Sequence, residues 1–390
     1  VIVAGARTPV GRFQGALSRL TAVDLGATAI RAALARSGIH GSDTDYVLMG
    51  HVIQAGAGQN TARQAAVAAD IPVEVPAVTV NKVCLSGMAT ITTADQMIRA
   101  GEIEVAVAGG MESMSLAPFV LPQARAGARL GDTPMIDAMI NDGLWSSFTD
   151  SHMGAGTDEI SAELGVGREE QDAWAARSHT RAAAAWDAGA LEDEVATVEV
   201  AQRRGDPLVV ARDEGIRPDT TPEVLGRLRS SFSAEGTVTA GNASQISDGA
   251  AAVVVMSAER AEALGLTPLA EIVSAGMAAG RFPSLHTMPA LALGRAVERA
   301  GLGIEDLDLI EINEAFAAVP VHSTRMLGVG EDLVNVNGGA IALGHPIGAS
   351  GTRIVLTLAH EMARRDVDLG GAAICGGGGQ GDAIVLRRPR

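Results

Sequence analysis

Two cysteines are spread across 390 residues. Cys84 lies in Asn81–Thr90, "NKVCLSGMAT", among small and apolar neighbours just ahead of a stretch that reads as a helix. Cys375 lies near the other end, in "AAICGGGGQGDA". A thiol ahead of a helix faces the positive end of the helix dipole, which favours thiolate and nucleophilic chemistry. A buried structural thiol is the competing reading. His345 sits in "NVNGGAIALGHPIGASGTR", between a glycine and a proline. That is a loop position, and the glycines permit close approach of a substrate; a satisfied turn histidine is the plainer alternative. "INEAFAA" brings Asn313 and Glu314 to the C-terminal end of an apolar strand. Ligands gather at that edge of open α/β sheets, although both residues also suit helix caps.

Gly376–Gly381, "GGGGQG", formally fits a dinucleotide fingerprint. That fingerprint must open a helix, and here the chain runs on as "DAIVLRR". These glycines are better suited to bringing backbone N–H groups to a developing oxyanion. The chain has no CxxC pair and no HExxH, so no metal site is expected from Cys84, Cys375 and His345.

An internal repeat positions these residues. Ile30–Val52 lines up without gaps with Leu293–Ala315, pairing Ala33 with Ala296, Gly38 with Gly301 and Asp45 with Asp308. Each copy reads as an amphipathic helix ending at a glycine, a short acidic loop and an apolar strand. A "VN" pair follows in each, Val80–Asn81 and Val336–Asn337, then a small-residue turn, a helix, and a strand running into glycines. The same order twice predicts a duplicated α/β domain with sheets buried on both faces. The helices after Cys84 and after His345 carry few charges over most of their length, which suits a place between sheets. From about Ala117 to Ala240 the texture becomes more polar and arginine-rich, and reads as an insertion that covers a site.

The bulk composition narrows the function. The length predicts two or three domains. Hydrophobic residues make up 47%, enough for large cores. A net charge of -16 argues against a nucleic-acid or anionic-membrane surface, but not against an anionic small ligand met by local arginines. Two distant cysteines do not make a secreted disulfide framework, and "VIVAGARTPVGRF" is too short an apolar run for a signal peptide or membrane span. A soluble, cytoplasmic protein is expected. Lys82 is the only lysine in the chain.

Taken in order and spacing, "NKVCLSGM", "GGMESMS", "GNASQISDGAA", "INEAFAA", "NVNGGAIALGHPIGASGTR" and "CGGGGQGD" resemble the thiolase family over essentially the whole chain. The resemblance implies a thiolase fold: duplicated α/β domains in sheet–helix layers, 1–264 and 265–390, with a loop domain at about 117–240 inserted in the first. It implies that Cys84 accepts the acyl group, that His345 activates it, and that Cys375 removes the α-proton of the incoming thioester. Asn313 corresponds to the residue that holds a water in one oxyanion hole, and the N–H groups of Cys84 and Gly377 to the second. Arg217, Ser244, His152, Met153, Leu144, Phe232 and Phe316 match positions around the coenzyme A and acyl subsites. The implied reaction joins two acetyl-CoA into acetoacetyl-CoA and CoA. A degradative 3-ketoacyl-CoA thiolase for longer chains is the near alternative, and a non-catalytic CoA or lipid binder the distant one. No metal or redox cofactor is implied, since CoA thioesters are the substrates. A homo-oligomer, tetramer or dimer, is expected. Two departures stand out: "GNASQISDG" where "GNASGLNDG" is commoner, and Leu285 where short-chain members often carry methionine.

Overall fold

The computed structural model describes residues 1–389. Strands β1 (Ile2–Arg7), β2 (Tyr46–Gly50), β3 (Ala77–Val80), β4 (Val105–Ser113) and β5 (Ser247–Met256) form one sheet. Their order is β1-β5-β4-β2-β3, with Gly11–Arg12 added beside β5. The β1–β5 and β5–β4 pairs are antiparallel, while β4–β2 and β2–β3 are parallel. A second sheet holds β6 (Glu271–Ala279), β7 (Leu309–Ile312), β8 (Leu369–Gly376) and β9 (Gln380–Arg387). Its order, β6-β9-β8-β7, repeats the first: two antiparallel pairs, then a parallel one.

The duplication therefore extends from sequence to hydrogen-bond pattern. Even the fifth strand has a trace in the second sheet, where Val334 bridges Ile310 in parallel as Ala77 pairs with Val47. This register puts Val80 level with Asn337, one residue away from the Val80–Val336 match suggested by the two "VN" pairs. The backbone ladder, not the side-chain type, fixes the equivalence.

Both sheets bury both faces, as continuous apolar strands require. Every residue of β5, "SDGAAAVVVM", is buried. Helix α1 (Ala22–Ser37) covers the outer face of the first sheet and α5 (Met288–Arg299) that of the second. Thr21 and Asp24 form a capping box at the start of α1, which stops at Gly38 with φ 74°; Gly301, past α5, has φ 70°. Between the sheets lie α2 (Ser86–Arg99) and α6 (Ser350–Arg365); Leu85 just ahead of α2, Met88 and Ile91 within it, and Ile354 and Leu356 of α6 share one core with Leu48, Val253, Ile374 and Ile384. The two helices touch through glycine: a Cβ on Gly351 would lie 2.4 Å from the Met88 nitrogen. Five layers result, helix–sheet–helix–sheet–helix.

Between β4 and β5 the chain leaves the layers. It forms α3 (Met153–Leu164), α4 (Arg168–Asp187) and three small two-stranded ribbons. Buried Arg7 of β1 ties this excursion down, with Nε 2.5 Å from Glu194 and Nη1 2.7 Å from Asp213. A buried charge needs such complete pairing. No helix among the described residues is long and apolar enough to cross a membrane.

Candidate active site

Cys84 sits in the turn that joins β3 to α2. Val83 before it has φ 51°, a left-handed conformation that a β-branched residue adopts only when its surroundings impose it. The surroundings are explicit. Asn81 Oδ1 accepts from the Val83 N–H at 3.0 Å; Ser86 Oγ accepts from the Lys82 N–H at 2.8 Å and donates to the Val83 carbonyl at 2.6 Å. Lys82 Nζ donates to both oxygens of Asp382, at 2.7 and 2.9 Å, across to the second sheet. Cys375 stands near the end of β8, opposite Gly381. Its glycine run forms the β8–β9 hairpin and opens no helix, with Gly378 and Gly379 at φ 81° and 66°.

These elements meet at a narrow cavity of about 50 Å³, into which Cys84, Cys375, His345 and Gly377 project. Ser244 lies on its wall, and Leu144, Met153, Phe316 and Leu285 supply the apolar sides.

His345 is buried in the loop ahead of α6. Its Nδ1 lies 2.6 Å from Ser350 Oγ, and its Nε2 has no partner among the described residues. Ser350 Oγ also reaches the Pro346 carbonyl at 3.0 Å. With its proton on that carbonyl, the serine accepts from Nδ1–H and leaves Nε2 as a bare acceptor. Turned to donate to Nδ1, it puts the proton on Nε2. One hydroxyl thus accommodates both histidine tautomers. Burial, helped by Arg353, lowers the His345 pKa to about 3, so the imidazole rests neutral.

The thiols contradict the expectation that the helix start favours thiolate. Burial pushes the Cys84 pKa up to about 12, outweighing the N–H groups of Gly377 and of Cys84 itself, which point at the sulfur. Burial, then the neighbouring Cys84, pushes Cys375 up as well. The helix dipole is worth a fraction of what desolvation costs here. Both sulfurs rest as neutral thiols.

Asn313 is fully buried just past β7, and its amide oxygen and nitrogen both lack partners among the described residues. Asn313 does not line the cavity, which its near neighbours Ala315 and Phe316 do, but a buried, unsatisfied amide fits a water or a substrate oxygen.

Comparison with known proteins identifies the family. The family "Thiolase, N-terminal domain" matches residues 1–259, and "Thiolase, C-terminal domain" matches residues 266–388. The chain belongs to the thiolase family. Among its relatives, a "Probable acetyl-CoA acetyltransferase" of Mycolicibacterium smegmatis is 56% identical over 388 residues, spanning 100% of both chains. An "Acetyl-CoA acetyltransferase" of Pseudomonas aeruginosa is 52% identical over 389 residues, covering 100% of this chain and 99% of that one. The crystal structure of the Bacillus anthracis acetyl-CoA acetyltransferase superposes with a TM-score of 0.97 at 40% identity, covering 100% of this chain and 98% of the other.

Not every residue marked in the sequence reaches the cavity of this thiolase. Phe232 stands behind its wall, stacked on His152 with ring centroids 4.5 Å apart. His152 Nδ1 caps α3 by accepting from the Gly154 N–H at 3.1 Å, and so orients Met153. Arg217 is exposed and away from the cavity wall; its backbone N–H donates to His179 Nδ1 at 3.1 Å.

Two buried carboxylates hold the site's loops. Glu314 accepts from Trp174 Nε1, Ser178 Oγ, Asn335 Nδ2 and the Ile341 N–H, all within 3.0 Å, which joins the insertion to the loop carrying His345. It is neither a ligand facing the cavity nor a helix cap. Glu112, at the end of β4, accepts from the N–H groups of Val52, Ile53 and Gly348 at 3.1, 3.1 and 3.0 Å, with His51 Nε2 at 3.4 Å. Burial raises its pKa to about 7 against the pull of those N–H groups. "GGMESMS" flagged the segment, but only the fold shows which loops its carboxylate gathers.

Proposed function

We propose that this thiolase condenses two acetyl-CoA into acetoacetyl-CoA and CoA, reversibly, through an acyl group on Cys84. One observation carries the reading. Two thiols from opposite halves of the chain, a neutral histidine with a free Nε2 and the N–H groups of Cys84 and Gly377 converge on one small cavity.

The chemistry follows from the resting protonation states. A neutral thiol is a weak nucleophile, so its proton must leave as sulfur attacks. His345 Nε2 takes that proton while the N–H groups of Cys84 and Gly377 hold the tetrahedral oxyanion. The imidazole then passes that proton to the departing CoA sulfur. Cys375 gives its own proton to His345 Nε2, and the thiolate so formed takes an α-proton from the second acetyl-CoA. The enolate oxygen is held by the Nε2–H of His345 and by a water on Asn313. Attack of the enolate carbon on the thioester carbonyl forms the C–C bond and releases the Cys84 sulfur, which takes the proton back from His345 Nε2. One sulfur cannot carry the acyl group and act as base at once.

The apolar wall of Leu144, Met153, Leu285 and Phe316 leaves about 50 Å³. That suits a short acyl group and disfavours the longer chains of a degradative thiolase. Arg217 and Ser244, with His152 and Phe232 behind Met153, belong in this proposal to the coenzyme A channel. The proposal also includes the domain division at 264/265 with an insertion at about 117–240, a cytoplasmic location and a homo-oligomeric state. Thiolysis of acetoacetyl-CoA should exceed that of longer 3-ketoacyl-CoAs; equal or greater turnover of long chains would overturn the short-chain assignment.

A further inference from the structure

"GNASQISDG" sets Gln245 and Ser247 directly behind the loop that carries His345. Gln245 Nε2 donates to the carbonyls of Gly215 and Ile341, both at 3.0 Å, and lies 3.3 Å from that of Ala342. Three carbonyl oxygens that would otherwise repel one another thus share one amide nitrogen. The fit is close: a Cβ on Gly215 would come within 2.6 Å of that nitrogen. The backbone of Gln245 faces the histidine itself. Its carbonyl accepts from the His345 N–H at 3.2 Å and from Ser247 Oγ at 2.7 Å, and the His345 N–H also points at Ser247 Oγ at 3.2 Å. On the far side, Gly215 lies two residues before Arg217, whose backbone is anchored on His179. A single side chain therefore joins the segment leading to the exposed arginine with residues 341–345.

We propose that Gln245 is a positioning residue that couples this arginine segment to the catalytic histidine. The nucleotide end of CoA, seated on Arg217, is felt through Gly215 and Gln245 as a better-fixed His345 loop. The coupling makes Cys84 most reactive when a CoA nucleotide is present. This rests on the reading of His345 as the base for Cys84 and of Arg217 as a nucleotide contact.

The test is the rate at which iodoacetamide alkylates Cys84 in the whole enzyme across pH, with and without 3′-phosphoadenosine 5′-diphosphate, the nucleotide portion of CoA. In the parent the nucleotide should speed alkylation by about threefold, a modest coupling between sites. Gln245→Glu keeps the side-chain length but sets oxygen against three carbonyl oxygens. Its alkylation should be about tenfold slower with a displaced pH profile, and the nucleotide should no longer accelerate it. Calorimetric affinity for the nucleotide should stay within about twofold, because Arg217 is untouched. Should Gln245→Glu not fold, Gln245→Met, of similar length and without donors, carries the same expectations. Two outcomes overturn the coupling alone: no nucleotide effect in the parent, or a folded Gln245 variant that alkylates and responds like the parent while His345→Ala is slowed. Unchanged alkylation in His345→Ala overturns the reading of the base and the coupling with it.

Discussion

The two halves share a strand order but use matching slots differently. In each, a loop runs from the parallel edge of the sheet into a central helix. In the first half residues 81–85 make that loop and carry Cys84; in the second, residues 338–349 make it, with one helical turn at Ala340–Leu343, and carry His345. Because α2 and α6 pack against each other, the two loops face one another, and nucleophile meets base. The neighbouring slot differs more. The Asp45 N–H bonds to the Val105 carbonyl as the Asp308 N–H bonds to that of Leu369, both at 2.9 Å. Counting along the strands from there sets Met111 level with Cys375, and Gly50 level with Asn313. Met111 is buried in the first core, and Glu112 after it gathers loops. Cys375 instead runs into the hairpin of four glycines. Duplication supplied the geometry of two facing loops, and the chemistry depends on their being unequal.

The sharpest break of that comparison is to disable one sulfur at a time. Cys84→Ala should take no acetyl group from acetyl-CoA, and turnover should fall by at least about 10⁴-fold, as for other deleted nucleophiles. Peptide mass analysis of the parent should find the acetyl group on Cys84; finding it on Cys375 would reverse the roles of the two halves.

Cys375→Ala should still be acetylated on Cys84, since that step uses His345 and the Cys84 and Gly377 N–H groups. It should lose exchange of the acetyl-CoA methyl protons with deuterated solvent, and condensation should drop by about 10³-fold. Exchange at the parent rate would return Cys375 to the role of a buried thiol, like its partner Met111.

Much of this contrast was legible in the sequence. The repeat predicted the duplicated sheets, and the positions of Cys84 ahead of a helix, His345 in a glycine-rich loop and Cys375 before a run of glycines marked the residues that meet. What escaped was whatever depends on distant chain segments meeting. Glu314 could not be told from a cap because its four donors come from Trp174, Ser178, Asn335 and Ile341. The raised pKa of Cys84 depends on burial that a helix-start pattern does not report. Phe232, matched to the family around the pocket, is stacked on His152 and does not line the cavity, a distinction that position along the chain does not report. The off-by-one "VN" match arose because like residues were compared where the ladder compares backbones.

Asn313 sharpens the comparison at the slot where the first half has Gly50. Asn313→Ala removes the amide proposed to hold the water of the enolate hole. Condensation should fall by about 10²-fold, as for loss of one oxyanion donor. Acetylation of Cys84 should change little, since the other hole serves it. An equal loss in both steps, measured by single-turnover acetylation and steady-state condensation, would mean that the two holes are not separate.

The smallest effect belongs to Glu112, which in the first half occupies the slot after Met111 where the second half has Gly376. Its carboxyl has a pKa of about 7 in the folded protein against an ordinary 4.5, chiefly through burial. Between those values the folded chain holds a proton that the unfolded chain has released. The proton's contribution to stability is therefore complete below about pH 4.5 and is lost as pH rises through 7, a change of the order of 3 kcal/mol. Glu112→Gln has nothing to titrate. It should be less stable than the parent at pH 5, because an amide replaces a carboxyl that accepts from three N–H groups. The gap in Tm should narrow by several degrees, or reverse, at pH 8, where the parent carries a buried charge. Thermal melts of both proteins at the two pH values decide it: a constant gap would mean that Glu112 stays ionised throughout. It would then bind the Val52, Ile53 and Gly348 amides as a permanent anion, and the first half would hold a fixed charge within hydrogen-bonding reach of the loop that carries His345.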